Sequence, residues 1–190
     1  MADHVCPPWV GYLLLNPLRK LGENPRKIFG DFVHEGMLVL EPGCAMGFFT
    51  LPLARMVGPA GRVVALDTQP KMLSVLERRA RRAGLLDRVD LREVGTEGLG
   101  IDDLSGQVDF CAVMHVAHEV SDQAAFFADL ARAQKPGGRL LVVEPKGHVS
   151  TSDFARSIAH AEEVGFRRDA SPTVSGDRRA LLVRQASNSG

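Results

Sequence analysis

Short apolar runs alternate with stretches of helical periodicity along most of this chain, and that alternation confines it to an α/β architecture with a mostly parallel sheet. Two of the runs, Val108 to Met114 and Leu140 to Val143, are apolar almost throughout, as strands covered on both faces require. Val89 to Val94 instead mixes Asp90, Arg92 and Glu93 with its apolar residues and reads as an edge strand. Met37 to Glu41 and Arg62 to Asp67 are two further strands. Asn24 and Pro25 start a helix whose Ile28, Phe29, Phe32 and Val33 give an apolar face ending near Gly36. A second helix follows Gly47 and ends near Gly58, with Pro52 tolerable only in its first turn. A third, about Lys71 to Ala83, turns Met72, Leu73, Leu76 and Ala80 inward. Ser121 caps a helix to about Gln134, Lys135 to Gly138 is a turn, and a last helix spans about Ser152 to Val164. Phe166 to Val174 and Ala180 to Arg184 then read as a closing hairpin.

The 190 residues, 45% hydrophobic, suit one domain able to bury a core without disulfides. Lys and Arg number 23 and so do Asp and Glu, so no overall field draws the chain to nucleic acid or to an anionic membrane. Three cysteines without a C-x-x-C pair fit neither a disulfide framework nor a zinc knuckle, which points to a reducing cytoplasm. The uncharged stretch Val5 to Leu18 is broken by Pro7, Pro8 and Pro17 and is too short to span a bilayer, so no stable membrane insertion is expected. No basic segment precedes it, so it reads as part of the mature protein.

The most informative segment is Val39-Leu-Glu-Pro-Gly-Cys-Ala-Met-Gly-Phe-Phe-Thr50, a strand, a turn of small residues and a helix start. Gly43, Ala45 and Gly47 let backbone approach a ligand closely at a helix N-terminus. Asp67, at the tip of the neighbouring strand, is positioned to accept hydrogen bonds from both hydroxyls of an adenosine ribose. A dinucleotide is disfavoured because Phe48 stands where the third glycine of G-x-G-x-x-G belongs. Glu41 would repel a pyrophosphate but attract the ammonium or sulfonium of S-adenosylmethionine (SAM).

From Met37 to Val183 the chain resembles the class I SAM-dependent methyltransferases. Leu40 to Gly47 is similar to the family's first motif and Val64 to Asp67 to its ribose-binding acid, with Ala45 replacing the middle glycine. Val108-Asp-Phe, the His118-Glu-Val segment and Leu130 to Arg139 resemble the fourth strand, its loop and the Pro-Gly-Gly turn of the small-molecule branch, which includes quinone-biosynthesis C-methyltransferases. The resemblance implies a Rossmann-like seven-stranded sheet in order 3-2-1-4-5-7-6, the last strand antiparallel, with helices on both faces. It implies SAM as methyl donor and S-adenosyl-L-homocysteine as product. It also puts Glu41 near the methionine part, Gly43, Cys44, Ala45 and Gly47 beneath it, and Asp67 on the ribose. Thr68 and Met72 would flank the adenine, Thr96 or Glu97 would bond its amine, and Met114 would face the cofactor.

Methyl transfer is an in-line displacement that needs alignment and exclusion of water, and a base only where the acceptor must lose a proton. His115, His118 and Glu119 follow the fourth strand and are the candidate catalytic residues: a His there, His118 ahead of His115, has a pKa suited to that role, with Glu119 to orient it, and the alternative is that they shape a loop or contact the cofactor. Glu144, Lys146 and His148 either line the acceptor pocket or form a solvated turn. His115, His118, Glu119 and His148 match no zinc-enzyme spacing, so no metal is expected, and Cys6, Cys44 and Cys111 share no evident thiolate site. Glu77 to Arg82 reads as the solvated face of its helix. The expected organisation is an N-terminal helical or lid segment, 1–36, carrying Trp9 and Tyr12, a methyltransferase domain, 37–183, and a flexible tail, 184–190. The expected activity is methylation of a small molecule by a monomer or homodimer, with no nucleic-acid partner. The alternatives are RNA or protein methylation and non-catalytic SAM binding.

Overall fold

The computed structural model describes residues 23–95, 98–169 and 178–186. Trp9, Tyr12 and Cys6, the residue pair Thr96 and Glu97, and the residues from 187 on lie outside them. Seven strands form one sheet, hydrogen-bonded in the order β3-β2-β1-β4-β5-β7-β6. They are β1 (Leu38–Pro42), β2 (Arg62–Asp67), β3 (Val89–Glu93), β4 (Val108–Met114), β5 (Gln134–Val143), β6 (Phe166–Arg168) and β7 (Arg179–Arg184), with β7 antiparallel to both its neighbours. The half-polar β3 is an edge strand, as its sequence requires. Among the described residues no helix is long and apolar enough to cross a membrane. The described chain divides into two compact units, residues 23–95 and residues 98–186.

In the first unit, Asn24 caps α1 (Pro25–Phe29) by accepting a hydrogen bond from the Arg26 N–H at 3.0 Å. This helix is shorter than its apolar spacing suggests; Phe32 and Val33 lie in the turn after it yet are buried. Phe29 is fully buried and meets Phe49 edge to face, with ring centroids 5.7 Å apart. Pro52 falls in the first turn of α2 (Thr50–Met56), where no N–H is lost from the helix ladder. The inward face of α3 (Pro70–Arg82) is Met72, Leu73, Leu76 and Ala80, as the periodicity predicts. Burying Met72 and Leu76 contributes about 1.5–3 kcal/mol each. Parallel pairing of β1 with β2 runs from Leu38↔Arg62 to Pro42↔Leu66, so the chain leaves β1 beside the end of β2.

In the second unit, β4 and β5 pair in parallel up to Met114↔Val143. The predicted turn Lys135 to Gly138 is a loop-out within β5: it lies between the pairs Val108↔Gln134 and Phe110↔Arg139. Lys135 Nζ clamps it to Asp109 Oδ1 at 2.5 Å. The cap of α4 (Gln123–Ala133) is Asp122 rather than Ser121, because the Asp122 carboxylate accepts the Ala125 N–H at 2.9 Å. Ser150 caps α5 (Thr151–Glu163). β6 and β7 form the expected antiparallel pair, although residues 170–177 between them lie outside the described part.

Candidate active site

The turn after β1 is tied to the end of β2. The Cys44 N–H donates to the Leu66 carbonyl at 3.0 Å, and the Ala45 N–H donates to Asp67 Oδ2 at 2.8 Å. Asp67 Oδ1 accepts the Gln69 N–H at 2.9 Å, so backbone donors hold both carboxylate oxygens and fix the carboxylate at the strand tip. Burial raises the Asp67 pKa, and its bonds from Gln69, Ala45 and Thr68 oppose the rise.

Gly43, Ala45 and Gly47 all adopt positive φ, at 70°, 46° and 81°. At Gly47 a Cβ would also lie 2.2 Å from Leu76 Cδ1, so the position needs glycine both for its φ and for the approach of α3. Ala45 occupies the left-handed region with a side chain, a conformation that disfavours L-residues. Arg79 hydrogen-bonds the Met46 carbonyl through Nη1 and is half-buried, so this arginine does not belong to the solvated face to which the sequence pattern assigns Glu77 to Arg82. Burial lowers its pKa. The pattern misses Arg79 because its reach depends on where the turn passes, not on helical periodicity.

Glu41, next to last in β1, is 2% exposed. Burial pushes its carboxyl up to about 8; the Thr50 hydroxyl opposes the rise without reaching full hydrogen-bond geometry, and the charge of Asp67 adds to it. Glu41 Oε2 has no hydrogen-bond partner among the described residues. A buried acid with an open oxygen suits a cationic ligand, and an Asp carboxylate fixed at the strand tip suits a ligand hydroxyl. Cys44 is buried, and desolvation, then the charges of Glu41 and Asp67, push its thiol well up, so it is no nucleophile. Thr68 is exposed, and Met72 is buried on the inner face of α3.

In the second unit, Met114 closes β4 and is buried. His115 follows in the left-handed region at φ 61° and donates its N–H to the Val143 carbonyl at 2.7 Å. The short turn Ala117–Glu119 is held by Gln123 Nε2, which donates to the Ala117 carbonyl at 2.8 Å. His118 Nδ1 meets Glu144 Oε2 at 2.6 Å, and the His118 N–H donates to Glu144 Oε1 at 3.3 Å. The carboxylate that orients His118 is therefore Glu144, not Glu119, which is exposed on the same turn. The pair forms because the Met114↔Val143 register sets the ends of β4 and β5 side by side; runs ending at Met114 and Val143 are the sequence signal that could have matched the two residues. The Glu144 hydrogen bond raises the His118 pKa, partial burial opposes this, and the charges of Glu144 and Glu119 add to the rise.

Residues 40–142 match the family described as "Methyltransferase domain". The ubiquinone/menaquinone biosynthesis C-methyltransferase UbiE of Pasteurella multocida is 32% identical over 112 residues, covering 59% of this chain and 41% of that protein. An uncharacterized 37.1 kDa protein in transposon TN4556 of Streptomyces fradiae is 32% identical over 119 residues, covering 63% of this chain and 33% of that protein. The chain thus spans less than half the length of these two curated relatives. Among solved structures, a SAM dependent methyltransferase from Aquifex aeolicus aligns with a TM-score of 0.80 and 24% identity over 94% of this chain and 98% of that one.

Proposed function

The chain belongs to the methyltransferase-domain family, in the class I SAM-dependent group similar to the quinone-biosynthesis types, and from this premise we propose that it transfers a methyl group from SAM to a small-molecule acceptor. The observation that carries the reading is Glu41: a buried carboxyl with an open oxygen, next to a turn whose backbone is laced to Asp67. Glu41 serves the cationic methionine part of the cofactor, Gly43, Cys44, Ala45 and Gly47 give it room, and Asp67 accepts the ribose hydroxyls. Thr68, Met72 and Met114 are assigned to its adenine and methyl ends, and Thr96 and Glu97 keep the adenine role that the resemblance implies. Bound SAM supplies an electrophilic methyl carbon whose sulfur loses its positive charge on transfer. The protein's own work is alignment, exclusion of water and, at His118, acceptance of a proton.

A small acceptor is supported by the equal numbers of acidic and basic residues and by the relatives named for ubiquinone and menaquinone biosynthesis. The N-terminal segment, 1–36, keeps its proposed role as a lid over the acceptor through Trp9 and Tyr12, which lie outside the described residues. Calorimetry with SAM and S-adenosylhomocysteine tests the cofactor: both are expected to bind, and failure of both overturns the reading. Transfer of tritium from labelled SAM into fractionated cell extract tests the acceptor. Label is expected in the small-molecule fraction, and label confined to RNA or protein rejects it.

A further inference from the structure

Glu41 is an acid in a place where the folded chain gives it no cation. It is 2% exposed, and Thr50 beside it is fully buried. Glu41 Oε2 and Thr50 Oγ1 both lack a hydrogen-bond partner among the described residues. The groups that face Glu41 come from three places: Thr50 opens α2, Asp67 closes β2 and adds negative charge, and Cys44 in the turn carries a thiol that its surroundings keep neutral. The helix α3 packs on the same turn but spends Arg79 on the Met46 carbonyl. Among the described residues no Lys, Arg or His pairs with Glu41.

A carboxylate buried without a cation loses its hydration and gains nothing in return, so the resting site holds Glu41 as the neutral acid. A Gln would fill the same place without that penalty. What an acid adds there is a charge that appears only when a cation arrives.

SAM and S-adenosylhomocysteine both carry an α-ammonium, a group that ordinarily releases its proton at about 7.7–8.0. Methylthioadenosine keeps the adenosine and a sulfur but has no ammonium. A bound pair of carboxylate and ammonium holds one proton. Below about 8 the separate partners hold two, so binding releases one to solvent; well above that value they hold none, and binding takes one up. Affinity for an ammonium-bearing ligand then climbs about tenfold per pH unit on the acid side and drops about tenfold per unit on the alkaline side.

We propose that Glu41 gives up a proton to solvent when the cofactor's α-ammonium arrives, so that the site selects ligands bearing this group and holds them with an affinity that peaks in pH. The proposal rests on the methyltransferase reading above. Its consequence is regulatory, because cofactor loading falls as the surroundings acidify. Asp67, whose pKa burial also raises, is assigned to the ribose that all these ligands share, so its own titration acts on each of them alike.

The test is calorimetry on the full chain with S-adenosylhomocysteine and methylthioadenosine from about pH 6 to about pH 9.5. S-adenosylhomocysteine is expected to bind most tightly near about pH 8, with about tenfold loss per unit to either side. Proton release on the acid side and uptake on the alkaline side should appear as heats that change with the ionisation enthalpy of the buffer. Methylthioadenosine is expected either to bind without that peak or to bind too weakly to measure. Glu41→Gln should abolish the acid limb for S-adenosylhomocysteine. A flat acid limb with the unaltered chain overturns the proposal, as does an equal limb with methylthioadenosine or a full limb in folded Glu41→Gln. The two-ligand comparison needs no variant, so a folding defect in Glu41→Gln leaves it to decide. Binding of neither nucleoside at any pH would sink the methyltransferase reading instead.

Discussion

Two residues of the first unit, Glu41 and Ala45, carry an unusual protonation state and an unusual backbone conformation. Glu41, held up to about 8 by burial, keeps a proton that the unfolded chain releases above its ordinary 4.5. The folded form then binds more protons than the unfolded one between those values, so stability falls as pH rises from 4.5 to about 8. Chemical denaturation across that window should show the decline, and Glu41→Gln should flatten it; an unaltered slope in the variant would assign the proton elsewhere. On the proposed role a cationic cofactor favours the ionised carboxylate, so SAM binding near neutral pH should expel a proton, read as a difference in heat between phosphate and Tris buffers. Ala45 gives a second prediction. Its left-handed backbone, at φ 46°, costs an L-residue about 1–2 kcal/mol, part of which glycine would return as unfolded-state freedom. Ala45→Gly should therefore raise stability by about 0.5–1 kcal/mol in urea titrations. Glu41, Gly43, Gly47 and Asp67 were legible because one short segment and the next strand tip hold them all. Glu144 was not, since it reaches His118 only through strand register.

At the level of elements, the turn after β1 is shaped by the helix that follows β2. Leu76 closes on Gly47 from α3, and Arg79 from the same helix holds the Met46 carbonyl. Arg79→Met keeps the apolar stem but leaves that partly buried carbonyl without its donor, at a cost of about 1–3 kcal/mol. The variant is expected to weaken SAM binding more than it lowers the melting temperature, because the turn loosens while the α3 core face stays intact. Equal binding with full melting loss would make Arg79 purely structural. Helix faces were readable from periodicity alone, as Met72, Leu73, Leu76 and Ala80 demonstrate. Ends set by local hydrogen bonds were less so: Asp122 outcompeted Ser121 as a cap, and β5 absorbed Lys135 to Gly138 as a loop-out because Val108 already pairs with Gln134.

For the whole molecule, the strand order followed from the resemblance and from polarity, with half-polar β3 at one edge. The expected N-terminal segment, 1–36, is not uniform: Phe29, Phe32 and Val33 belong to the buried core of the first unit. Removing residues 1–36 strips these three core side chains and should cost about 4.5–9 kcal/mol, a large share of the roughly 5–15 kcal/mol that holds a domain together. Circular dichroism melts of the truncated and the full chain check this, and an unchanged melting temperature would contradict it. Cys44 and Cys111 are both buried thiols, one in the turn after β1 and one in the middle of β4. Because a thiol-reactive dye reaches each only when its own surroundings open, Cys44 is a clock on the turn and Cys111 a clock on the sheet, and a ligand that slows the first without touching the second reports its own place of binding.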